Sequence, residues 1–443
     1  MLRISVIAAL VMGLSSAFAQ DMVAPNANLK ADGMPAISKA IADKVSLYTE
    51  FRGYGFVQWH PKDGSMLIRH REASANIAQI YLLRKAGGAI EKISDFPEPI
   101  AQAGFEPVSG KYLLISKDTG GNEATQVYRM DMSTRETVLL SRADERSTFK
   151  WNHKGDRALI SAVPLDKTAT GGKRDTVETH LTLVDPLQPA TRLALGSLPG
   201  GGWGDYAFSH NDANIAAVQY RTPNDADIFL INARTGKREK ILPVAGAVTA
   251  GYSNPEWSKD NRRLFLTTNQ GGEFSELAVF DTKTAKLTLL SHHIPWDIQG
   301  FTLSEDGMRI MALVNANGKD EVHIFDTASG EELPRPDVPA GAVGGGEWNK
   351  TTKSQFAYSL NSPQSPGDVY SLDIATGKTQ RWTTAWAPAG IDLNSFASPE
   401  LVQIKSFDGL PISAWLFLPD AKNSRASGLS WSTSMADLKA NRP

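Results

Sequence analysis

Apolar and polar positions alternate with a period of two through most of the chain, and one block shows the rule most plainly. Glu256-Trp257-Ser258-Lys259-Asp260-Asn261-Arg262-Arg263-Leu264-Phe265-Leu266 is followed by Leu277-Ala278-Val279-Phe280-Asp281-Thr282-Lys283-Thr284 and then by Leu287-Thr288-Leu289-Leu290. Period-two runs cut by turn residues predict four β-strands: an aromatic-containing strand, a tight polar turn, a second strand, a polar loop, a third strand, another tight turn and a fourth strand. The same order returns seven times.

The first strands of the seven copies are marked by Trp59, Phe105, Trp151, Phe208, Trp257, Leu303 and Trp348, at steps of 46, 46, 57, 49, 46 and 45 residues. That pitch is the length of a four-stranded propeller blade. Most turns after these anchors carry Gly, Asn or Asp, which supply positive φ or side-chain hydrogen bonds to a tight hairpin. The second tight turn starts at Asp131, Asn232, Asp281, Asp326 and Asp373, with a glycine expected at its left-handed end. A pair of β-sandwiches with coincidental spacing is the plainer alternative. Seven copies with two registered turns each argue against it.

The sequence thus predicts an all-β fold, a seven-bladed β-propeller of four-stranded blades over residues 51–390. Blade 1 ends near Ile93 and blade 7 near Trp382, each with four strands of its own. The ring is therefore expected not to be latched by strand exchange, but sealed by packing of the first blade on the last, a weaker seam. Successive strands reverse direction, so both tight turns fall on one face, and the middle loops and blade-to-blade connections on the other. The middle loops are longer and more varied: 117–123, 166–176, 269–274 and 315–320. Binding residues concentrate in such loops on rigid scaffolds.

Residues 20–50 hold a short amphipathic helix at 36–48, with Ile37, Ile41 and Val45 on one stripe, expected to pack on a neighbouring surface. Residues 399–420 read as strand, Asp408-Gly409 turn and strand, the start of a second domain. Residues 421–443 show no strand alternation and are expected to form an aberrant or disordered tail. At the other end, Arg3, the apolar run 4–14 and Ala17-Phe18-Ala19 read as a cleavable signal peptide over residues 1–19, which implies a periplasmic or secreted protein. The run falls short of the roughly 20 residues that span a bilayer, and no later segment reaches that length.

Composition narrows the chemistry. The chain has 443 residues, 46 Lys+Arg against 48 Asp+Glu, 37 glycines, 24 prolines and no cysteine. A net charge of −2 leaves no electrostatic footprint for nucleic acid. Without cysteine there is no disulfide, thiolate nucleophile or Cys-ligated zinc. No blade carries more than two of the eight histidines, none at metal-ligand spacing, and neighbours such as His292-His293 would point to opposite faces of a strand, which favours a solvated inter-blade loop over a shared metal. No cofactor and no metal are expected. A Gly-x-Ser-x-Gly elbow is also missing: Gly428-Leu429-Ser430-Trp431-Ser432 fails at its last position, and the last histidine is His323. No catalytic residue is assigned.

Four loop residues are candidates for facing a substrate. Glu123, after Gly120-Gly121-Asn122, and Glu273, after Gly271-Gly272, are carboxylates at equivalent loop tips of different blades. Together with Asn122 they offer partners for the amine or a basic group of a peptide, although a loop-tip carboxylate is ordinarily just solvated. Trp296, in the connection entering blade 6, reads either as a plug between blades or as a substrate-facing aromatic, with core packing the simpler reading.

The runs Phe56-Val57-Gln58-Trp59-His60-Pro61, Ser116-Lys117-Asp118-Thr119-Gly120-Gly121-Asn122-Glu123, Gly200-Gly201-Gly202-Trp203, Ile294-Pro295-Trp296-Asp297, Ser365-Pro366-Gly367-Asp368-Val369-Tyr370-Ser371 and Pro399-Glu400-Leu401 leading to Ser406-Phe407-Asp408-Gly409 resemble the prolyl oligopeptidase family of serine peptidases. The resemblance is to its bacterial dipeptidyl-aminopeptidase/acylaminoacyl-peptidase-like branch and covers roughly residues 45–420. It implies an unlatched propeller that caps an α/β-hydrolase domain and restricts substrates to short peptides. Residues 399–420 then correspond to the first hairpin of a truncated hydrolase domain. The family's His-Gly-Gly stretch, serine elbow, Asp and His have no counterpart here. The expectation is therefore the substrate-gating part of an exported peptidase, inactive as written, with the hydrolase domain as intramolecular or split-gene partner. A free-standing periplasmic propeller that binds proteins is the rival. A propeller glycosidase or sugar dehydrogenase would need an acid pair or cofactor ligands in the tunnel, and no spacing favours it.

Overall fold

The computed structural model describes residues 21–73, 75–165, 177–418 and 431–433. Each predicted anchor closes the first strand of a blade: Tyr54–Trp59, Ile100–Phe105, Glu145–Trp151, Trp203–Phe208, Tyr252–Trp257, Ile298–Leu303 and Ala342–Trp348. Every blade is a four-stranded antiparallel sheet whose strands follow chain order. First strands of consecutive blades touch around the ring, so they line its axis.

Local turn chemistry folds each blade. The side chains of Asp131, Asn232, Asp281, Asp326 and Asp373 each accept hydrogen bonds from the backbone amides two and three residues on. These bonds occupy the amides that would otherwise be orphaned in the turn. The expected left-handed glycine is present as Gly236, Gly330 and Gly377, whereas Arg135 and Ala285 take that conformation in the other two turns. There the Asp cap holds a residue that by itself disfavours positive φ by about 1 kcal/mol.

Burial alternates sharply across each sheet. In blade 1, Met66, Ile68, Tyr81 and Leu83 face blade 7, while Leu67, Ile80 and Leu82 face blade 2. Seven apolar clusters result, one per interface between neighbouring blades. Strands buried on both faces explain the nearly unbroken apolar runs of the second and third strands.

Among the described residues no strand crosses between blades 1 and 7, as expected of an unlatched ring. The seam has more than face-to-face packing. Arg52 and Trp386 exchange backbone hydrogen bonds of 3.0 Å in both directions, and Trp59 meets Trp382 edge-on at 5.3 Å. A Cβ at Gly53 would lie 2.4 Å from the Pro366 carbonyl oxygen, so only glycine lets blade 1 approach blade 7 this closely.

Two expectations outside the ring need correction. The helix forms at Lys39–Thr49, capped by Ser38, but it buries none of its residues, and Ile41 is 60% exposed. Only Tyr48 finds an aromatic neighbour, Phe396, at 6.3 Å. The predicted hairpin is present as Glu400–Lys405 and Pro411–Phe417. The stretch read as lacking strands adds a third, Trp431–Thr433, paired to the free edge of the second. An open strand edge offers unpaired amides and carbonyls, which a neighbouring segment satisfies without strict alternation. The signal peptide, the 166–176 loop and the rest of 421–443 lie outside the described residues.

Candidate functional site: the ring axis and the loop face

Side chains next to the anchors decide what lines the axis. In a strand the residue before the anchor points to the opposite face of the sheet, here toward the following blade. Those positions are Gln58, Gly104, Lys150, Ala207, Glu256, Thr302 and Glu347. Three of them cross the blade boundary. Gln58 Oε1 accepts from the Phe105 amide (2.6 Å), Glu256 Oε2 from the Leu303 amide (3.0 Å) and Glu347 Oε2 from the Trp59 amide (3.0 Å). Gln58 also donates to Glu347 Oε1 at 3.3 Å.

Burial pushes the carboxyls of Glu256 and Glu347 up to about 7, against the single backbone hydrogen bond that each accepts and the lysine that each senses, Lys150 and Lys350 respectively. Both sit in the wall of the axis, partly exposed. Toward the tight-turn face, His153 and His210 stack at 4.2 Å and contact the carbonyl oxygens of Phe208 and Trp257 at 3.0 and 3.2 Å. Burial lowers His153, and burial plus His153 lowers His210 to about 4. These groups stitch adjacent blades together.

The four loop candidates lie on the other face, Asn122 and Glu123 in blade 2, Glu273 in blade 5 and Trp296 in the connection entering blade 6. Asn122 Oδ1 accepts from the Ala124 amide (3.0 Å), and Glu123, at φ 57, donates its own amide to Asp118 Oδ2 (2.9 Å) and leaves its carboxylate exposed. Glu273 is likewise exposed in blade 5. Trp296 packs partly buried against the blade 5–6 cluster, its ring 6.3 Å from Phe274. His292 and His293 contact different carboxylates, Glu276 at 3.1 Å and Glu332 at 2.7 Å. Sequence reasoning passed over Glu256 and Glu347, although both precede a tryptophan anchor.

The loop face also carries the C-terminal hairpin. Trp415 donates its indole N–H to the Gly318 carbonyl (3.2 Å), Ser413 bonds to Asn317 through its hydroxyl, and Ala414 is buried. Gln364 of blade 7 donates to the Phe396 carbonyl at 2.8 Å and fixes the connecting segment. The rest of the hairpin is bare: Leu401, Ile404, Leu410, Ile412, Phe417 and Leu418 are all exposed.

Residues 205–385, from the first strand of blade 4 through blade 7, match the family model described as the prolyl oligopeptidase N-terminal β-propeller domain. No curated protein matches the sequence. Among solved structures, the chain is similar to a prolyl endopeptidase studied for inter-domain dynamics (TM-score 0.71, 14% identity, 86% of this chain and 57% of that one). It is also similar to prolyl oligopeptidase B from Galerina marginata (TM-score 0.65, 16% identity, 85% and 57%) and to a puromycin-hydrolysing peptidase of Mycobacterium tuberculosis (TM-score 0.63, 13% identity, 83% and 58%). The chain thus spans less than three fifths of the length of each of these proteins. Residues 205–385 thus carry a prolyl oligopeptidase-type N-terminal β-propeller sequence, and the seven four-stranded blades give the chain the fold of these structures.

Proposed function

We propose that the ring is the substrate-gating cap of an exported serine peptidase acting on short peptides, and that its loop face docks an α/β-hydrolase domain. The observation that carries this reading is the hairpin of Glu400–Lys405 and Pro411–Phe417, pinned to blade 6 at one side and bare and apolar at the other. An exposed run of Leu, Ile and Phe on an open sheet is a surface made for burial. The uncovered stripe of Ile37, Ile41 and Val45 adds a second apolar surface that lacks a cover. In this reading the described residues supply gating and docking, and hydrolysis belongs to the partner domain. Residues 1–19 direct export and are removed.

The test is size-exclusion chromatography with an apolar dye on the purified chain, together with the double variant Leu401→Lys/Ile404→Lys. Self-association and dye binding that the variant relieves are the expected result. A monodisperse native chain that binds no dye would argue for the self-contained binding module, and cleavage of chromogenic dipeptides by the chain alone would overturn the division of labour. N-terminal sequencing of the exported product checks the cleavage before Gln20.

A further inference from the structure

The outer rim of blades 3 and 4 differs in charge from the rest of the ring. The second tight turns of blades 2, 5, 6 and 7 begin with Asp131, Asp281, Asp326 and Asp373, but that of blade 4 begins with Asn232, which accepts the same amide bonds without a charge. Residues 233–238 then carry Arg234, Lys237 and Arg238 and no acid. Residues 186–198, which run through the corresponding turn of blade 3 into its outer strand Arg192–Pro199, carry Arg192 and no acid either.

The fold joins these two stretches. A Cβ at Gly236 would overlap the Leu195 carbonyl oxygen, so the blade 4 turn lies directly on the outer strand of blade 3. Arg238 donates to the Ser197 carbonyl at 3.2 Å, and Arg192 to the Pro189 carbonyl at 3.0 Å. Arg192, Arg234, Lys237 and Arg238 are all exposed, and none is ion-paired among the described residues. Acids of the adjoining segments are engaged or turned away: Asp185 pairs with Arg157 at 2.9 Å, Asp227 with Arg221 at 3.1 Å, and Glu178 accepts from the Ser197 hydroxyl at 2.7 Å. Glu239 alternates to the face of its strand opposite Arg238. Two leucines stand among the cations, Leu187 in the blade 3 turn at 62% exposure and Leu193 on the outer strand at 44%.

Unpaired cations set around exposed leucines complement a layer of lipid phosphates over acyl chains. We infer that the rim of blades 3 and 4 docks this chain on an anionic bilayer, with Arg192, Arg234, Lys237 and Arg238 against lipid phosphates and Leu187 and Leu193 in the interface beneath them. The leucines favour a bilayer over a nucleic acid, which offers phosphate but no acyl layer. The inference does not depend on the proposed peptidase role. The bare hairpin is held by blade 6, so the two surfaces can be tested apart.

Co-sedimentation of the purified chain with lipid vesicles tests it. Binding to equimolar phosphatidylglycerol and phosphatidylcholine is expected to saturate, to weaken as salt is added, and to be roughly tenfold or more tighter than to phosphatidylcholine alone. Arg234→Glu combined with Lys237→Glu, at two exposed turn positions, should weaken that binding by about tenfold or more without lowering the unfolding temperature. Lys85→Glu combined with Lys378→Glu changes the net charge equally on blades 1 and 7 and should leave binding within about twofold of the native chain. Leu187→Ser combined with Leu193→Ser should weaken it by about threefold and keep its salt dependence. Equal binding to phosphatidylcholine alone would trace adsorption to the bare hairpin, and equal losses in the two charge-reversed chains would leave the rim no special role. Either result, unchanged binding by the leucine variant, or equally tight binding to a DNA duplex would overturn the assignment.

Discussion

Trp59 is held twice by Glu347: its amide donates to Glu347 Oε2 at 3.0 Å, and its indole N–H donates to the Glu347 carbonyl oxygen at 3.1 Å. One residue of blade 7 thereby fixes both the backbone and the side chain of the blade 1 anchor, where no shared strand closes the ring. Glu347→Ala leaves a buried amide without its acceptor and should destabilise the chain by about 1–3 kcal/mol. Glu347→Gln keeps an acceptor and should lose much less. Urea unfolding of the two variants separates these outcomes, and equal losses would mean that charge rather than the hydrogen bond matters.

The pH dependence follows from the same residue and Glu256. Both carboxyls are raised by burial from the ordinary glutamate value of 4.5 to about 7. The folded chain therefore holds protons that the unfolded chain releases, so this contribution to stability is full below pH 4.5 and is lost as pH rises through 7. A displacement of this size corresponds to roughly 3 kcal/mol per group, as an upper bound. Between pH 5 and pH 8 the unfolding temperature should fall, and Glu256→Gln combined with Glu347→Gln should flatten that fall. An unchanged slope in the double variant would show that other groups dominate.

Tryptophan anchors are not equivalent. Trp257 donates its indole N–H to the Ala207 carbonyl at 3.1 Å, and Trp348 to the Thr302 carbonyl at 3.3 Å, while the buried indole nitrogen of Trp151 has no partner among the described residues. Trp257→Phe forfeits a bond and strands a carbonyl. Trp151→Phe removes an unsatisfied donor, so its cost should be about 1 kcal/mol smaller. Thermal unfolding of the two single variants gives the comparison directly.

Gly318, at φ 82, admits the Trp415 indole so closely that an added Cβ would lie 3.0 Å from its nitrogen. Gly318→Ala should loosen the hairpin from blade 6. Amide exchange across 400–417 is expected to accelerate about tenfold while the blades keep their protection. Equal acceleration in both regions would mean that the hairpin and ring open as one unit.

The parts of the fold legible in the sequence are those built by neighbours in the chain. An Asp at 131, 281 or 373 caps amides two and three residues away, so a short window contains the whole cause. The axis is different. Glu256 matters because Leu303, the next anchor, presents an amide to it, and Glu347 because Trp59 does; the blade period marks these partners, but nothing local to either glutamate shows the contact. The adjacency of a glutamate to a tryptophan anchor is the one visible trace. The exposed helix stripe is opaque for a related reason, since Ile37, Ile41 and Val45 show amphipathicity whether or not the covering surface is present.

The reciprocal backbone bridge of Arg52 and Trp386 has a consequence for how such a ring is carried. Antiparallel bridge partners lie about 5 Å apart, so the chain enters and leaves seven blades through one narrow gate. The whole ring is a cassette closed at its base by one bridged residue pair: it can be spliced into a surface loop of another fold without displacing that fold's ends. A host needs two adjacent attachment points and, beside them, a surface that meets blade 6 as the 400–417 hairpin does through Trp415 and Gly318.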